Sequence, residues 1–193
     1  GSRTAATWIK SKFQDYGATC EYMEFLDGFA PNVICKYAAQ QPEVLDVQRN
    51  NGTSPRIIIS AHYDSRGSFG STRAPGADDD GSGVVQLLAI ARAIQKRAVK
   101  FNTDVELVTF AGEEQGLLGK KLYEEGADIV LMIQADMLAY HSADEPMQLG
   151  LPEWIGSPVA AALLSNISSI YVPDLTVGTT SACCSDHQSF WQY

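Results

Sequence analysis

Apolar residues recur at helical spacing through residues 4–16 (TAATWIKSKFQDY), and that run stops before Gly17. The spacing predicts an opening helix. Residues 19–25 and 32–38 read as antiparallel strands joined by a two-residue turn at Asp27-Gly28. The polar stretch 40–55 (QQPEVLDVQRNNGTSP) reads as a loop. From residue 56 strands and helices alternate. IIIS (57–60) is a short, wholly apolar run of the kind that forms a buried central strand. Residues 84–95 place Val84, Leu87, Leu88, Ala91 and Ile94 on one helical face. VELVTFA (105–111) and IVLMIQA (129–135) are two further strands, with a helix expected from about 116 to 125 between them. Residues 157–169 read as a helix and 171–178 as extended chain.

This alternation predicts an α/β fold with a mixed sheet, parallel in its centre, sandwiched between helices. The leading hairpin should make one side of that sheet antiparallel. Neither a repeat nor a linker divides the chain, so residues 1–193 are expected to form a single domain. Gly1-Ser2-Arg3 reads as an expression scar.

Composition narrows the function classes. The chain is 45% hydrophobic and 19% charged, with a formal net charge of −9. Such an excess of negative charge argues against a nucleic-acid partner. No apolar run reaches the ~20 residues that cross a bilayer, so no membrane span is expected. Part of the negative charge could be matched by bound cations.

Four cysteines and two glycosylation sequons, Asn51-Gly-Thr53 and Asn166-Ile-Ser168, fit a secreted protein. Cys20 and Cys35 lie symmetrically about Asp27-Gly28, so a tight turn there would set them opposite each other. They are then either a disulfide or two buried thiols. Cys183 and Cys184 are adjacent and belong to no CxxC pattern.

Ligands of open α/β sheets bind beyond the carboxyl ends of the strands. His62 and Asp64 follow the first such strand in HYDS, Glu113 and Glu114 follow the second in GEEQG, and Asp136 follows the third in QADM. Asp78, Asp79 and Asp80 precede the helix that begins near Ser82, and His187 lies in SDHQSF. Each has an ordinary structural reading taken alone. A histidine after a strand is usually just hydrogen-bonded, three aspartates before a helix usually cap it, and paired glutamates usually sit on a solvated loop. Together they would deliver imidazole and carboxylates to one rim, where like charges repel unless a cation is present. Histidine with carboxylates is an N/O donor set suited to zinc. A carboxylate shared by two ions would complete a two-metal hydrolytic centre. The adjacent Glu113 and Glu114 can diverge on a loop, one towards the metal and one towards the attacking water as general base.

The ordered series HYDS, APGADDDGSG, FAGEEQGLLG, QADM and CSDHQSF resembles the two-zinc aminopeptidases of metallopeptidase family twenty-eight. The resemblance covers residues from about 56 to 190, with the helix and hairpin before it in the expected order. It implies two zinc ions per chain, His62 and Asp136 binding one, Glu114 and His187 the other, and Asp79 bridging both. It implies that Glu113 is the general base and acid, that Asp64 orients His62, and that His141 is a surface residue. The implied activity is removal of N-terminal residues from peptides.

Two departures from the family pattern stand out. The family places a cysteine four residues before the one in CSDH; here that position is Thr180, and the extra cysteine is Cys183. The family also continues past the SDH histidine with a strand and a helix, whereas this sequence stops at Tyr193. Weak or absent activity is therefore expected of this chain alone. Three alternatives remain. A carboxypeptidase or dipeptidase would use Arg66 or Arg73 to grip a substrate carboxylate, a glutaminyl cyclase would hold one zinc, and a binding module or receptor ectodomain would hold none.

Overall fold

The computed structural model describes residues 2–40, 55–67, 71, 73–119, 128–182 and 184–192. The expected loop at 40–55, with its Asn51 sequon, lies almost wholly outside the described residues, as do Cys183 and most of the helix expected at 116–125. Residues 116–119 of that helix are described, and they form turns.

Helix α1 (Ser2–Asp15) buries Ala6, Ile9 and Phe13 along one stripe. It stops where Gly17 turns left-handed (φ 85°) and Ala18 N–H reaches back to the Phe13 carbonyl at 3.1 Å. Strands β1 (Thr19–Met23) and β2 (Asn32–Tyr37) pair antiparallel, and β3 (Arg56–His62) leads into the site. Helix α2 (Gly81–Arg97) is followed by β4 (Asp104–Phe110) and β5 (Ile129–Gln134). The sheet order is β1-β2-β4-β3-β5, with β1, β2 and β4 antiparallel neighbours and β3 parallel to both β4 and β5. The expected mixed sheet is therefore present, antiparallel on the hairpin side and parallel around β3.

The sheet's two faces bury different layers. Val33, Cys35, Ala61 and Leu107 pack with α1 and with Val84, Leu87 and Ala91 of α2. The alternate residues Ile34, Ile58, Val108 and Phe110 cluster on the other face, joined by Phe190 of a 3-10 helix at Asp186–Gln192. Side chains alternate along a strand, so His62 shares its face with Ile58 and emerges at the carboxyl end of β3. Two acidic residues inside β4 are satisfied by ion pairs: Glu106 with Arg56 at 3.0 Å, and Asp104 with Lys36.

Three features depart from the sequence reading. The hairpin connection is wider than two residues, because β1 ends at Met23 and β2 starts at Asn32. Asp27-Gly28 still forms the turn, with Phe29 N–H bonded to the Leu26 carbonyl at 3.2 Å, and the register still sets Cys20 opposite Cys35. Those two cysteines are disulfide-bonded, and Cys184 is disulfide-bonded as well. A second sheet of two parallel strands, β6 (Gln148–Pro152) and β7 (Thr176–Thr180), was not expected from the pattern. Helix α3 (Pro158–Tyr171), capped by Ser157, connects them, so the extended segment begins later than 171. The five-residue β6, with a glycine and a proline, is too short to show a period.

The Cys20–Cys35 bridge closes a separation of 15 residues and pins the edge strand β1 to the sheet. Replacing both cysteines by alanine should lower the unfolding free energy by about 2–4 kcal/mol. Denaturant titration of the double variant against the parent measures this.

Candidate metal centre

Three segments converge at the carboxyl ends of β3 and β5 and the start of α2. His62 ends β3 and is 1% exposed; its Nε2 lies 3.1 Å from Asp79 Oδ1 and 3.8 Å from Asp136 Oδ2. One donor atom from each of His62, Asp79 and Asp136 falls within 4.8 Å of the others. The other imidazole nitrogen, Nδ1, lies 3.1 Å from the Asp64 backbone oxygen and 3.8 Å from the Asp64 carboxylate. Asp64 thus meets His62 at hydrogen-bond distance through its main chain. Its carboxylate accepts instead from the N–H groups of Glu113, at 3.2 Å, and Glu114, at 3.1 Å.

Glu113 and Glu114 diverge from their shared loop. Glu114 is held by Arg66, with Nε to Oε2 at 2.8 Å and the Arg66 N–H to Oε1 at 3.1 Å. Glu113 is half-buried, and its neighbours are His62, Asp136, Glu114 and Asp64. Among the described residues, Glu114 and His187 fall outside the three-residue donor cluster. Glu114 still feels the charge of Asp79, and His187, half-buried on the 3-10 helix, acts electrostatically on Asp136. His141 is exposed, as expected.

Asp80 was passed over in the sequence, yet it organises this rim. It caps α2 by accepting from Gly83 N–H at 2.9 Å, and it also accepts from the N–H of His62 at 3.2 Å and of Met137 at 3.3 Å. Hydrogen bonds to a charged group contribute about 1.5–3 kcal/mol each. Three of them offset part of the several kcal/mol that burial of a carboxylate costs. Its neighbours brace the turn after Asp136: Asp78 Oδ1 accepts from Ala139 N–H and Ser82 Oγ from Leu138 N–H, both at 2.8 Å. The capping reading of the aspartate triplet was therefore the only available signal for Asp80, and it applies to the third aspartate alone. At the other end of the site, Gln134 of β5 donates to Ser185 at 3.1 Å and to Asp186 at 3.4 Å, tying the SDH segment to the sheet.

The electrostatics are those of crowded negative charge. Burial pushes the carboxyls of Asp80 and Glu113 up to about 7, and the nearby Asp136 charge adds to both shifts. Burial opposes a charge on His62, but the carboxylates of Asp136, Asp64 and Asp80 outweigh it and push the imidazole up to about 12. Burial likewise opposes ionisation of Asp136, but its interactions with His62, Ser185 and His187 together outweigh this and hold it below the ordinary value. One imidazole among so many carboxylates leaves negative charge that a bound cation would offset. The donor set, one nitrogen and two carboxylate oxygens within reach of one another, fits zinc.

The profile of Peptidase family M28 matches residues 44–193. Leucine aminopeptidase 1 of Leptosphaeria maculans is 35% identical over 151 residues, which is 69% of this chain and 38% of that protein. Among solved structures, LapB from Legionella pneumophila has a TM-score of 0.82 at 24% identity, covering 98% of this chain and 52% of its own. The aminopeptidase from Aneurinibacillus sp. strain AM-1 is 30% identical with a TM-score of 0.59, over 83% of this chain and 36% of its own. The chain thus spans well under half the length of the curated relatives it matches.

The raised groups dictate an unusual pH dependence for the metal-free protein. Between about 4 and 7 the folded chain keeps protons on Asp80 and Glu113 that the unfolded chain has released, and above about 6.5 His62 does the same. Folding stability should therefore fall as pH rises from about 5 to 8. The depressed group Asp136 acts in the opposite direction only below about 4, outside that window. Calorimetry of chelator-treated protein should give a lower melting temperature at pH 8 than at pH 5, and saturating zinc should reverse the order.

Proposed function

The chain belongs to Peptidase family M28, and from that premise we propose that it is a metallo-exopeptidase that removes N-terminal residues from peptides with the help of two zinc ions. The observation that carries this reading is the convergence of His62, Asp79 and Asp136. His62 and Asp136 would hold one ion, Glu114 and His187 the other, and Asp79 would bridge them. When bound, the metal supplies Lewis acidity, polarising the scissile carbonyl and lowering the pKa of water.

The remaining chemistry belongs to side chains. Glu113 takes a proton from the attacking water and returns it to the leaving amine. Burial, which raises its carboxyl to about 7, suits a group that must both accept and donate near neutral pH. Asp64 fixes the main chain of Glu113 and Glu114 while standing next to His62. Met137, Leu138 and Tyr140 follow Asp136 and are 47%, 41% and 67% exposed. Apolar surface in that place supports an apolar side chain at the substrate's N-terminus. The Cys20–Cys35 and Cys184 disulfides support secretion, and no described helix is long and apolar enough to cross a membrane.

Zinc analysis should find two ions per chain, and the full-length protein should hydrolyse an aminoacyl anilide in preference to an acylated dipeptide. Glu113→Gln should keep both ions and lower kcat by about 100- to 10,000-fold. One zinc per chain would favour the cyclase reading instead. Two zincs without peptide hydrolysis in the full-length wild type would refute the enzyme.

A further inference from the structure

Asn32 opens β2 and is fully buried, far in sequence from every metal-capable residue. It also lies outside residues 44–193, the part of the chain that carries the family pattern. Its side-chain amide spans two distant backbone groups. Oδ1 accepts from Ala111 N–H at 2.9 Å, and Nδ2 donates to the Gly119 carbonyl at 2.7 Å. Those two residues bound the loop that carries Glu113 and Glu114.

That loop has no regular hydrogen-bond ladder to hold it. Gly112, Gly116 and Leu117 take positive φ values of 73°, 103° and 62°, and Leu118 N–H closes back on the Gly112 carbonyl at 2.9 Å. The closure is tight: a Cβ on Gly119 would collide with the Ala111 carbonyl oxygen and with Asn32 Oδ1. The residue before Asn32 extends the same support. The Pro31 carbonyl accepts from the Tyr63 hydroxyl at 2.6 Å, and Tyr63 N–H bonds to the Phe110 carbonyl at 2.9 Å. The dipeptide Pro31-Asn32 thereby joins the residue after His62 to both ends of the glutamate loop.

We propose that Asn32 is a positioning residue that holds the Glu113–Glu114 loop in its working place, an inference that rests on the metallo-exopeptidase reading for its catalytic consequence. Asp64 grips the two glutamate amides from the His62 side, and Asn32 grips the loop's ends from within the protein. Removing the amide would leave the buried Ala111 N–H and Gly119 carbonyl without these bonds, a state that favours relaxation of the loop. A displacement of ~1 Å at a reacting group can cost about 100-fold in rate.

Two variants separate this role from general support of the fold. Asn32→Asp keeps an acceptor for Ala111 but turns a second acceptor towards the Gly119 carbonyl; Asn32→Ala removes both bonds. In zinc-loaded full-length protein, either change should lower kcat on an aminoacyl anilide by about 10- to 100-fold, with KM within about threefold of the parent. In chelator-treated protein, amide hydrogen exchange over 111–119 should accelerate at least about tenfold, while β3 and α2 exchange as before. Wild-type exchange over 111–119 or an unchanged kcat in a folded variant would overturn the proposal. So would loss of the whole cooperative melting transition in both variants, which would make Asn32 a support of the fold at large. If the parent binds no zinc and cleaves no anilide, yet exchange over 111–119 still responds to Asn32, the exopeptidase reading fails and the clamp stands.

Discussion

Negative charge concentrated around one buried imidazole is the constraint on which the rest of this structure depends. His62 ends a central parallel strand, and Asp79, Asp136, Asp64, Asp80 and Glu113 all act on it or lie beside it. Carboxylates brought this close repel one another, and the sheet alone supplies nothing to neutralise them. The fold answers with backbone N–H groups. Asp80 takes three and Asp64 takes two, so these two carboxylates are bound by the main chain. Asp79 and Asp136, which would face a bound cation, share His62 as a positive partner. In the metal-free chain a proton on that ring does part of a cation's work.

The architecture follows from that requirement. Parallel pairing of β3 with β4 and β5 brings three strand ends to one edge, and α2 begins there with its own aspartates. Packing of α1 and α2 on one face and of Phe190 on the other keeps those ends in register. The irregular segments that carry the proposed ligands are each tied to a neighbour by a side chain: Asn32 for the glutamate loop, Ser82 and Asp78 for the turn after Asp136, and Gln134 for the SDH segment.

Much of this was legible in the sequence, for a physical reason. Helices α1 and α2 have clear helical periods and strands β3 to β5 are apolar runs, so strand-end placement set His62, Glu114 and Asp136 on one rim, while the pairing of His62 with Asp136 came only from the family resemblance. The choice of Asp79 came from the family resemblance, and the structure sets it against His62. What stayed hidden depends on tertiary contacts between residues far apart in the chain. Asn32 acts on positions 79 and 87 residues away, and nothing local distinguishes it from any asparagine at the start of a strand. Asp80 could be read as a helix cap, but its bonds to His62 and Met137 require the folded sheet. The wider hairpin connection was missed because Asp27-Gly28 does form a turn, while the strands on either side stop short of it.

The central claim is that these carboxylates surround a cation position. Crystals of the protein grown with zinc, measured at the zinc absorption edge, test it directly. The expected result is an anomalous peak bound by His62 Nε2 and by carboxylate oxygens of Asp79 and Asp136, at about 2.0–2.2 Å from each. Zinc-saturated crystals with no peak there, and with His62 still hydrogen-bonded to Asp79, would contradict it.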